Sequence, residues 1–153
     1  MLSLLLDEHF SPKVAAGLTA QHPGLPVVAL AHWQGGQFLG VPDDVLLAAA
    51  FEAGASPEAD SSKTGRSKTG IQGQGVSENQ ALTLVTFDLR TIVPLLKEWA
   101  EQGRSHGGVI FVDERTLASR DFGGLVRALG ELWLAQGNLD WTDQVVFLQR
   151  PLT

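Results

Sequence analysis

Buried-type apolar runs alternate with helical periodicities along this chain. The run "LSLLL" (2–6) has the near-continuous apolar character of a strand covered on both faces. Ser11-Pro12 then marks a helix start, with Ser at the N-cap and Pro at the first helical position. Val14, Ala15 and Leu18 give that helix its apolar face, and Gly24 and Pro26 punctuate its end. "VVAL" (27–30) predicts a second strand, followed by the Gly-rich loop "HWQGGQFLG". "PDDVLLAAAFEAG" predicts a helix with an acidic N-terminus and Gly54 just past its end. "LTLVTF" (82–87) is a third strand. Ile92, Leu95, Leu96 and Trp99 mark one face of the next helix. "GGVIFV" (107–112) is a fourth strand, a last helix covers about 121–136, and "QVVFLQ" (144–149) closes as an edge strand. On the last helix Phe122, Leu125, Val126, Leu129, Leu132 and Trp133 form the buried side. This alternation predicts an α/β fold of three layers, α/β/α, around a mostly parallel sheet of about five strands.

One segment breaks the rhythm. Residues 55–79 hold almost no large apolar side chain and contain the short repeat "SKTGRSKTG". They read as an inserted, solvated loop within a single domain of 153 residues, either a lid or a tolerated insertion. Lys63, Arg66 and Lys68 in it read as solubilising charges, or as a basic cover that guides a nucleic-acid backbone. An apolar content of 44% and a charged content of 18% are those of a globular chain. No apolar run nears the ~20 residues of a membrane span, and the N-terminal run lacks a signal peptide's basic start. A cytoplasmic protein with no membrane partner is the expectation. With no cysteine, thiolate metal sites and cysteine nucleophiles are excluded. A net charge of -6 disfavours a generic nucleic-acid coat, but not an enzyme that meets phosphates through metal ions.

The acids then change the picture. Asp7 follows the first buried run, Asp88 the third and Asp113 the fourth. In a parallel sheet these positions share the carboxyl edge, where open α/β folds place their ligands. Asp43 and Asp44, after the second strand's loop, face the same rim. Carboxylates gathered without a basic partner repel one another and are driven toward protonation. A divalent cation relieves that repulsion, and hard oxygen donors point to magnesium or manganese. Each position also has a plainer structural use. Asp7 is a polar strand end, Glu8 a solvated rim residue, Asp43 a helix N-cap and Asp44 a first-turn dipole partner. Asp113 and Glu114 suit a surface turn. Trp99 and Trp133 sit on apolar helix faces as core residues. His9, Lys13 and Arg90 are the candidate nucleic-acid contacts beside the acids.

"LLLDEHFSPKVAAGL", "VPDDVLLAAA" and "LTLVTFD" resemble the signature blocks of the PIN-like family of small toxin nucleases, of the DUF5615 type. The likeness spans about 2–112. It implies a PIN-like fold, a magnesium- or manganese-dependent endoribonuclease activity, an RNA substrate and an antitoxin partner, with a homodimer also compatible. Carried over by position, the family's acids are Asp7, Glu8, Asp43 and Asp88, with Asp7, Asp43 and Asp88 as the catalytic set. The chain departs from the pattern after Asp88, where Asp-x-Asp-Phe is replaced by "DLRT". Asp113 is the candidate substitute for the missing acid. The runner-up is a catalytically silent PIN-like binding module. A receiver-like phosphoacceptor shares the acid pattern but needs a lysine after its last strand, and the lysines stand at 13, 63, 68 and 97. No G-x-S-x-G turn leads from a strand into a helix, and no Gly-rich phosphate loop follows the first strand.

Overall fold

The computed structural model describes residues 2–53 and 81–148, so the expected loop 55–79 lies outside the described residues. Among the described residues five strands, β1 (Leu4–Leu6), β2 (Val27–Ala29), β3 (Thr83–Thr86), β4 (Val109–Phe111) and β5 (Val145–Phe147), alternate with four helices. These are α1 (Pro12–Gln21), α2 (Asp43–Glu52), α3 (Leu89–Glu101) and α4 (Phe122–Gln136). Each expected element is present, with its strands trimmed to three or four residues. A short 3-10 turn, Trp33–Gly36, sits in the loop after β2.

The sheet is parallel throughout, in the order β2-β1-β3-β4-β5. Leu5 lies between Val28 and Leu84, and Ile110 between Val85 and Val146. Because successive strand residues point to opposite faces, each short run feeds two cores. Leu4, Leu6, Val85 and Ile110 pack with Val14 and Leu18 of α1 and Leu125 and Leu129 of α4. Leu5, Leu84, Val109 and Phe111 pack on the other side with Leu46 and Leu47 of α2 and Ile92 and Trp99 of α3. Full burial of one such side chain contributes roughly 1.5–3 kcal/mol. This is the three-layer α/β/α architecture.

The helix starts follow local chemistry. Ser11 Oγ accepts the Lys13 backbone N–H at 3.1 Å, with Pro12 opening α1. Asp121 Oδ1 caps α4 through the Gly124 N–H at 3.0 Å, so the helix begins one residue later than 121. At α2 the expected Asp43 cap is corrected. Pro42 holds the cap position without a side-chain bond, and Asp43 and Asp44 both lie in the first turn. There they complement the helix dipole, and Asp43 is left to face the rim.

β1 has β2 on one side and β3 on the other. The chain therefore leaves β1 in one direction and later returns on its opposite flank. The crevice this opens lies outside the carboxyl ends of β1 and β3, the switch point at which such sheets bind ligands. No helix of the described residues is long and apolar enough to cross a membrane.

Candidate metal centre and its cleft

A cleft occupies that crevice, lined by Asp7, Glu8, His9, Leu30, Phe38, Gly40, Val41, Asp43, Leu46, Thr86 and Asp88. Its acids come from four points in the sequence pattern: the end of β1, the loop beyond it, the first turn of α2 and the helix cap two residues past β3.

Asp7 is the anchor. It is 9% exposed, and its backbone N–H donates to Val85 O at 3.1 Å, extending the β1–β3 ladder one step past the strand. Its Oδ1 accepts the His9 backbone N–H at 2.8 Å, folding the chain tightly around the carboxylate. Thr86 donates its hydroxyl to the same carboxylate. That hydroxyl oxygen also accepts the Asp88 backbone N–H at 3.0 Å. One Thr side chain thus ties the two strand-end acids together. Burial pushes the Asp7 carboxyl up from its ordinary range, against the hydrogen bonds from Thr86 and His9 that lower it.

Asp43 faces this anchor from α2. Its carboxyl is also pushed up, first by partial burial and then by the charges of Asp88, Asp7, Glu8 and Asp44. Asp88 has a second task that the strand pattern hid. Its Oδ1 accepts the Thr91 N–H at 3.1 Å and so caps α3. Glu8 is exposed at the rim. His9 is also solvent-facing, with Nδ1 3.6 Å from Asp7 Oδ1.

The structure does not bring every candidate here. Asp113 is exposed, does not line the cleft, and accepts the Arg115 backbone N–H at 2.9 Å. That bond, followed by the Arg115 charge, holds its carboxyl below the usual range. Glu114 is likewise spent locally, accepting the Ser119 N–H at 3.1 Å. Arg90 is exposed in the first turn of α3. Lys13 directs its ammonium over the Phe122 ring, 5.6 Å from the centroid, which ties it to the start of α4. Neither cation lines the cleft. Thr86 and the apolar Leu30, Phe38, Val41 and Leu46 were not singled out in the sequence. The signal for Thr86 was "TFD", a Thr two residues before an acid, the spacing of a hydroxyl-to-backbone turn.

The donors suit a hard divalent cation. All are carboxylate oxygens, the innermost is desolvated, and the charge strain on Asp43 is of the kind a cation relieves. Among the described residues no three His, Asp or Glu side chains stand close enough to form a ready-made cage. The acids form an open set around the cleft rather than a closed one. Compared with protein-family models, curated proteins and solved structures, the chain matches none.

Proposed function

We propose that this chain is a PIN-like endoribonuclease dependent on magnesium or manganese, with Asp7, Asp43 and Asp88 as its catalytic carboxylates and Glu8 as a further ligand. One observation carries the reading: carboxylates from separate elements line one cleft at the β1/β3 switch point, where partial burial and then their mutual repulsion raise Asp43. A bound divalent cation would supply a water of lowered pKa, able to attack a phosphodiester. The chain's own residues hold the acids in place. Thr86 and the His9 N–H fix Asp7, and the Thr86 hydroxyl sets the position of the Asp88 backbone. His9 stands at the mouth, where a phosphate would pass. In this reading the protein is cytoplasmic, its substrate is RNA, and an antitoxin protein or a second copy of the chain is its protein partner.

The test is RNA cleavage by purified protein with and without added manganese. Manganese-dependent cleavage that disappears in Asp7→Asn is the expected result. A second reading, a catalytically silent binding module, is favoured by Asp88, whose Oδ1 is already engaged as a helix cap, and by the "DLRT" departure beside it. A melting-temperature rise with manganese while every RNA stays intact would select that module.

A further inference from the structure

The cleft is lined by two unlike sets of side chains, the acids Asp7, Glu8, Asp43 and Asp88 and the apolar Leu30, Phe38, Val41 and Leu46. Phe38 is only half-buried, although it belongs to a loop with a firm foundation. Its ring stacks on Trp33 with centroids 4.9 Å apart and planes 26° apart, and Trp33 itself is 7% exposed. The backbone around the pair is bent by three successive left-handed residues, Gln34 at φ 53°, Gly35 at 69° and Gly36 at 83°. A Cβ on Gly36 would stand 3.0 Å from Ala31 O, so only glycine fits that bend without displacement. Backbone bonds within the loop, Leu39 N–H to Gly36 O at 3.2 Å and Val41 N–H to Phe38 O at 3.4 Å, hold the main chain on either side of Phe38. The ring packs against the core on the α2/α3 side of the sheet and lines the same cleft as the four acids.

We propose that Phe38 is a platform on which an unpaired base of the RNA stacks beside the acids. The inference rests on the ribonuclease reading above and adds a base subsite to it. An apolar side chain from a protein partner is a poorer occupant, because the same small cleft would set it against four acids. A nucleotide offers both faces at once: a flat base for the aromatic ring, and a phosphate for the acids once a cation neutralises them. A base inside a duplex is already stacked on its neighbours and must be pulled out before it can reach the ring.

The experiment is steady-state cleavage of one oligoribonucleotide, single-stranded and annealed to its complement, with manganese present. Wild type should cleave the single strand with at least about tenfold higher kcat/KM than the duplex. Phe38→Leu keeps the apolar volume without the π-face. It should raise KM on the order of tenfold, the effect of losing one base–aromatic stack, and leave kcat within about twofold. Phe38→Trp should keep KM at or below the wild-type value. An unchanged KM in Phe38→Leu, an equal rise in both variants, or equal cleavage of duplex would overturn the platform while the ribonuclease reading stands. No metal-dependent cleavage by wild type would remove that reading, and this inference with it.

Discussion

Asp7 shows what a single buried charge does at this site. Its raised carboxyl means that the ionised form is disfavoured in the folded chain relative to the unfolded one. The sign follows by linkage. Asp7's contribution to stability is fully present below the ordinary value of 3.8 and is lost as pH rises through the raised folded-state value. At pH 7 the metal-free protein therefore carries a cost at Asp7. Asp7→Asn, which keeps an oxygen to accept from His9 and Thr86, should melt about 2–4 °C higher without metal, the size of a ~1 kcal/mol change in such a domain. Millimolar manganese should raise the wild-type melting temperature and leave the variant unmoved. A lower melting point for metal-free Asp7→Asn would mean that the ionised carboxylate stabilises the fold. His106 has the opposite sign from the opposite end of the sheet. Burial holds its imidazole below the ordinary 6.5, against the upward pull of Asp143. Its Nδ1 accepts the Gly108 N–H at 3.0 Å, a bond that only the neutral ring can accept. The stability it supplies is therefore present above pH 6.5 and is lost as pH falls through its lowered value. His106→Gln should melt lower than wild type at pH 7.5, and the gap should narrow toward pH 5. Thermal melts of the pair across that range measure it. At this scale the acids were legible in the sequence because they end apolar runs. Their hydrogen bonds were not, since the Thr86 bridge and the Asp88 cap depend on which oxygen meets which N–H.

The elements were legible because two periodicities, two and 3.6, separate cleanly here. Leu5 and Leu4 serve opposite faces, while Ile92 and Trp99 share one. Boundaries shifted where a polar residue serves two purposes. Asp88 reads as the end of β3 but caps α3, and Asp43 reads as a cap but lies inside α2. What the pattern did not reveal was how closely α1 and α4 approach. Gly17 sits where a Cβ would lie 2.8 Å from Val126 Cγ2, so the absent side chain sets the spacing between the helices. Gly17→Ala gains helix propensity, worth roughly 1 kcal/mol. Against that stands overpacking of a fixed interface, typically 1–3 kcal/mol. The net effect should be a loss of up to about 2 kcal/mol by denaturant unfolding. Val126→Ala removes the methyl that clashes, so the double variant should be more stable than the sum of the single losses predicts. Strict additivity would show that the two helices part freely.

For the whole molecule, alternation of strands and helices implied a parallel sheet, but it left the order of the strands open. The order decides the chemistry. With β1 between β2 and β3, Asp7 and Asp88 end neighbouring strands and Asp43 closes over them, while Asp113, one strand further out past β3, stays in its own turn with Arg115. Counting acids after strands put Asp7, Asp88 and Asp113 on one carboxyl edge. Adjacency in the sheet separates them. If Asp7 and Asp88 share one cation, removing either removes the same centre. Asp7→Asn and Asp88→Asn should each lower the cleavage rate on the order of 10³-fold, a loss of ~4 kcal/mol in transition-state stabilisation. Asparagine is as good a helix cap as aspartate, so Asp88→Asn should leave α3 and the fold intact, which separates the cap from the metal role. Asp113→Asn should cost little activity, and Asp44→Asn only tenths of a kcal/mol in helix stability. The double variant Asp7→Asn/Asp88→Asn should be scarcely slower than either single one, because groups acting as a unit are not additive. Losses that multiply in the double variant would mean that the two carboxylates act separately, and the shared centre at the β1/β3 crevice would have to be given up.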